Sequence, residues 1–79
     1  MIRMGKKTKK PPEEIIAYAT EFFGGEWGME TIECGQCCAR FEGAGGHVYV
    51  DIVEGTDVNE VEVQGREWEH QIRKFVGEL

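Results

Sequence analysis

All three cysteines of the chain stand within five consecutive residues, Cys34-Gly35-Gln36-Cys37-Cys38. Thiols at such spacing bind zinc or exchange with a disulfide. A tetrahedral zinc site needs four ligands, and the chain adds only two imidazoles, His47 and His70. His47 opens a strand pattern and is the better placed, so Cys34, Cys37, Cys38 and His47 form the candidate zinc set. His70 falls on the polar side of the last helical pattern, where plain solvent exposure is expected. With Gly35-Gln36 as a two-residue hairpin, Cys34 faces Cys37 at about 5.5 Å between Cα atoms, close enough for a reversible disulfide. Alternation turns Cys38 to the other side. Free cysteine is also a small buried hydrophobe, which makes core packing the plain alternative.

A second candidate lies downstream, where Asp51, Glu54, Asp57, Asn59 and Glu60 crowd a turn containing Gly55. Hard oxygen ligands around a turn suit calcium or another divalent cation, although the spacing is not that of an EF-hand loop. The alternative is an ordinary hairpin in which Asp57 and Gly55 supply the turn chemistry. Gly43-Ala44-Gly45-Gly46 lacks the following helix that a phosphate cradle requires and reads as a loose hairpin loop. Trp27, after Gly24-Gly25, reads as a lid on the core.

Cys34-Gly35-Gln36-Cys37 resembles the redox motif of thioredoxin-like proteins over those four residues, without a βαβ pattern around it. The resemblance implies a dithiol carrier using Cys34 and Cys37. No general base stands with a nucleophile, so enzymatic activity is not expected.

These groups belong to a chain of 79 residues with a formal charge of −6. That is one domain, near the size at which a core alone gives about 3–5 kcal/mol and a metal, disulfide or second copy often helps. A homo-oligomer is therefore a candidate state. The hydrophobic fraction of 41% comes without a long apolar run, so no membrane span is expected. The basic start leads into Pro11-Pro12-Glu13-Glu14 and not into an apolar signal region, which points to the cytoplasm and to reduced thiols or metal ligands.

The charge is unevenly laid out. Arg3, Lys6, Lys7, Lys9 and Lys10 precede the first proline, while the body from Pro11 onward holds four basic and fifteen acidic residues. Residues 1–11 read as a basic, disordered tail that can fold back on the acidic body, and 12–79 as the folded domain. Nucleic acid would be held only weakly, through that tail.

The elements follow from periodicity. Glu13 to Phe23 sets Ile15, Ala19, Phe22 and Phe23 on one helical face, with Pro12 and two glutamates at its start and Gly24-Gly25 at its stop. Trp68, Ile72, Phe75, Val76 and Leu79 repeat the pattern at the end of the chain. Between them the period falls to two over four strands, about 29–34, 37–42, 47–53 and 58–64. The expected fold is a two-layer α+β sandwich in which a four-stranded antiparallel meander is covered on one face by both flanking helices.

Ile32, Cys34, Cys37, Ala39, Phe41, Val48, Val50, Ile52, Val61 and Val63 are expected on the covered face. Glu33, Cys38, Arg40, Glu42, His47, Tyr49, Asp51, Glu60 and Glu62 are expected on the open one, an acidic surface that meets water or a partner. The leading functional expectation is a binding or interaction domain that recruits a basic protein partner through Glu33, Arg40, Glu42, Tyr49, Asp51, Glu60 and Glu62. A zinc or calcium protein is the alternative, and a dithiol redox protein the second alternative.

Overall fold

A computed structural model describes residues 1–33 and 35–79, the side chain of Glu33 excepted. The α+β class is as expected, but the sheet has five strands. In chain order the elements are β1 (Ile2–Thr8), α1 (Pro12–Ala19), a π-helical continuation (Thr20–Glu26), β2 (Glu30–Glu33), β3 (Cys38–Gly43), β4 (Gly46–Val53), β5 (Asn59–Arg66) and α2 (Glu69–Gly77). The strands lie in the order β1-β5-β4-β3-β2, and every neighbouring pair is antiparallel.

The additional strand comes from the segment expected to be a disordered tail. Its basic residues mask a period of two, in which Ile2 and Thr8 are buried at the ends and Arg3, Gly5 and Lys7 alternate outward. Pairing with β5 from Ile2↔Gly65 to Thr8↔Asn59 sets Arg3 beside Glu62 and Lys7 opposite Glu60. The electrostatic fold-back is thus a full strand pairing, supported by opposite charges across it. The following residues are fastened too, since the Asn59 amide donates to the Lys10 carbonyl at 2.8 Å.

Both helices cover one face. α1 starts on Pro12 with Glu13 and Glu14 in its first turn, where acid complements the helix dipole. It widens where Gly24-Gly25 weakens the α-helical preference, and the Trp27 N–H reaches the Phe22 carbonyl at 3.2 Å. This path buries the adjacent Phe22 and Phe23 together. Phe23 then lies between Phe41 of β3 and Phe75 of α2, with ring centroids 5.3 and 5.2 Å away. α2 comes close to the sheet at Gly65, where a Cβ would stand 2.5 Å from Ile72 Cδ1 and 2.6 Å from the His47 carbonyl. Ala39, Phe41, Val48, Val50, Ile52, Val61 and Val63 form the sheet side of the core, as expected.

The thiol hairpin differs from expectation by one residue. A Gly35-Gln36 turn requires Glu33 opposite Cys38, whereas the register pairs Glu33 with Ala39 and Ile32 with Arg40. The loop therefore centres on Gln36. A one-residue slip exchanges the two faces of a strand, so Ile32 aligns with the outer row and Thr31 with Phe41 in the inner one. Gly43 and Gly46, by contrast, close a tight two-residue turn in place of the expected loose loop. Ala44 and Gly45 take φ of 49° and 77°, the pair of positive values that fits the twist of a hairpin.

Candidate functional site

The face of the sheet opposite the helices carries no covering element among the described residues, and cross-strand register orders it into rows. Arg3, Gln64, Tyr49, Arg40 and Ile32 form one row, and Glu62, Asp51 and Cys38 the next. Lys7, Glu60 and Val53 lie beyond on one side, and Arg66, His47, Glu42 and Glu30 on the other. Five acidic residues thus share this face with four basic ones, and the expectation of a strongly acidic surface is corrected. β1 contributes Arg3 and Lys7, and β5 extends to Arg66. Arg3 pairs with Glu62 at 2.6 Å and Arg40 with Glu42 at 3.5 Å, both in exposed positions. Tyr49, half-buried, sits between Arg40 and Gln64. Of the expected contact residues, Arg40, Glu42, Tyr49, Asp51, Glu60 and Glu62 are brought together here. Glu33 stands opposite Ala39 in the register.

Cys37 and Cys38 differ in state and in surroundings. Cys34 lies outside the described residues, so the part of the zinc and dithiol sets that rests on it does too. Cys37 is a free thiol, whereas Cys38 is disulfide-bonded and departs from the expected reduced state. Cys37 lines a cleft of about 580 Å³ with Pro12, Ile16, Ala17 and Glu54. Cys38 lines a different one beside Ile16, Thr20, Ile32 and Ala39. His47 is four residues along β4 from Asp51, the partner of Cys38 in the register. That is about 13 Å at 3.3 Å per residue, too far for one ion. Cys37 is half-buried, packing against the margin of the core while it lines the cleft.

The chemistry of Cys37 is set by Glu54. The thiol donates to Glu54 Oε1 at 3.3 Å. This bond, followed by partial desolvation and the charges of Glu54 and Asp51, raises the thiol pKa above its ordinary value. A thiolate beside a carboxylate is disfavoured, the reverse of the electropositive setting that activates a nucleophilic cysteine.

The acidic hairpin is likewise committed to its own chain. Asn59 Oδ1 accepts the Gly55 N–H at 3.4 Å while its Nδ2 holds Lys10. Lys7 lines the same shallow cleft as Glu54, Asp57 and Glu60, and Asp51 stands apart on the open face. Among the described residues no three potential ligands converge on a metal position. His70 is exposed on α2, as expected. Trp27 is 39% exposed and meets Trp68 edge-on at 6.2 Å.

Another feature was not read from the sequence. Tyr18, Glu21, Phe22, Glu26, Lys74 and Glu78 line a cleft of about 560 Å³ between the helices. The Tyr18 hydroxyl donates to Glu78 there, across 60 residues of chain, a separation that no local pattern signals. Among the described residues no helix is long and apolar enough to cross a membrane. Neither protein-family models nor curated proteins give a match to the chain.

Proposed function

We propose that this domain is a protein-interaction module whose contact surface is the open face of the sheet. The observation that supports this reading is the layering: both helices stand on one side, and five strands present ordered side chains on the other. The two central rows carry opposite charge, one holding Arg3 and Arg40 in line with Gln64 and Tyr49 and the other holding Glu62 and Asp51. Such a surface suits a partner that offers acidic and basic groups in neighbouring stripes, not a simple polycation. Tyr49 supplies a rigid amphipathic anchor at the centre.

The test places a photo-cross-linking phenylalanine at position 49 and, as control, at exposed position 70 on α2, in cells expressing the full chain. The expected result is a discrete adduct from position 49 that is lost on Asp51→Lys, a change that leaves the core untouched. Adducts of equal yield from both positions, or none from position 49, would identify the face as a solvated surface.

A further inference from the structure

We infer that the outer edge of β1 accepts an acidic, extended peptide segment as a sixth strand of the sheet. This surface is distinct from the open face and is argued from separate observations. β1 is the terminal strand, paired on one side only along seven residues. Its outer edge therefore presents backbone N–H and C=O groups at alternate residues, which an added strand satisfies.

Charge selects the occupant. Five of the nine basic residues, Arg3, Lys6, Lys7, Lys9 and Lys10, belong to β1 or follow it at once in a molecule that is otherwise strongly acidic. Arg3 is paired with Glu62 and the Lys10 ammonium lies 5.8 Å from the Tyr18 ring centroid, which leaves Lys6, Lys7 and Lys9 for a ligand. Neither Lys6 nor Lys7 is in an ion pair among the described residues. A second copy of β1 is disfavoured in the register that pairs the strand along its whole length. Antiparallel pairing about Gly5 would oppose Arg3 of each chain to Lys7 of the other, and like charges directly opposite are destabilising. An acidic strand reverses the sign of those pairs. A nucleic acid strand is disfavoured, because phosphates leave the edge carbonyls without donors and the acidic body repels a long polyanion.

The probe is a capped peptide, Glu-Val-Glu-Thr-Glu-Val-Glu, titrated into isotope-labelled full-length protein and followed by amide chemical shifts. The expected shifts concentrate on the residues of β1 and leave Tyr49 and Asp51 unmoved. A second peptide with proline in place of Val and Thr keeps the charge but loses alternate N–H donors, and is expected to bind about tenfold more weakly, close to one hydrogen bond's worth. Lys6→Gln with Lys7→Gln is expected to weaken the first peptide by a similar factor, with the core resonances of Val50 and Val63 confirming the fold. Equal binding of both peptides would overturn strand addition. So would stronger binding of a single-stranded oligonucleotide, shifts centred on the open face, open-ended self-association through the acidic edge of β2, or no shift at millimolar peptide, which would leave the lysines as guards against edge pairing.

Discussion

The phenol of Tyr18 on α1 donates a hydrogen bond to the carboxylate of Glu78, the residue that closes α2. The same ring stacks on Phe75 at 5.2 Å, so one side chain ties the first helix to the end of the last. Its hydroxyl is pushed up to about 12, first by desolvation, then by the bond to Glu78, and then by the charges of Glu78, Glu26 and Glu21. Each of these disfavours the phenolate.

A pH dependence follows. The folded pKa lies above the unfolded value, so the contribution of Tyr18 to stability is fully present below about pH 10 and is lost as pH rises toward 12. In a Tyr49→Phe background, ultraviolet titration of the remaining phenol should give a midpoint near 12. Glu78→Gln removes both a hydrogen-bond acceptor charge and its repulsion, and should bring the midpoint down. A midpoint at the ordinary tyrosine value in the Tyr49→Phe protein with Glu78 intact would sink this reading.

The strand status of β1 makes a different prediction. Ile2 is 9% exposed and belongs to the core cluster. Ile2→Ala should therefore cost about 2 kcal/mol, toward the low end for core truncations because the site is at a sheet edge. A disordered tail would give a change near zero. Urea unfolding followed by Trp fluorescence separates the two, and Arg3→Ala serves as the control. Arg3 forms an exposed ion pair with Glu62, so its loss should cost under about 1 kcal/mol.

Legibility in the sequence divided along physical lines. The two helices and the four meander strands were readable because their apolar residues recur at 3.6 and at 2, and the inner-face valines from Val48 to Val63 are buried as that period requires. β1 was hidden because Lys6, Lys7, Lys9 and Lys10 dominate the composition of a segment whose alternation rests on Ile2, Met4 and Thr8 alone. That omission carried through to the open face, whose net charge depends on Arg3 and Lys7. The hairpin at Gln36 was misread by one residue because Gly35-Gln36 satisfies a two-residue turn as well as a longer loop. Local sequence holds no information on which register buries more. The Tyr18–Glu78 bond and the Cys37–Glu54 bond join residues 60 and 17 positions apart, and only the folded chain brings them together.

The Cys37–Glu54 pair offers the most direct chemical test. Glu54 accepts the thiol proton at 3.3 Å and its charge resists formation of the thiolate. Alkylation by iodoacetamide proceeds through the thiolate, so Cys37 should react more slowly at neutral pH than an unstructured cysteine peptide, and its rate should rise with pH through a midpoint above the ordinary thiol value. Glu54→Gln keeps an acceptor for the thiol but deletes the negative charge. The rate at neutral pH should then rise several-fold and the midpoint should fall, with the helical circular dichroism unchanged. Peptide mapping after alkylation assigns the label to Cys37. If Glu54→Gln left both rate and midpoint where they were, the hydrogen bond would have no hold on the thiol, and the cleft beside α1 would be open to a nucleophilic Cys37 after all.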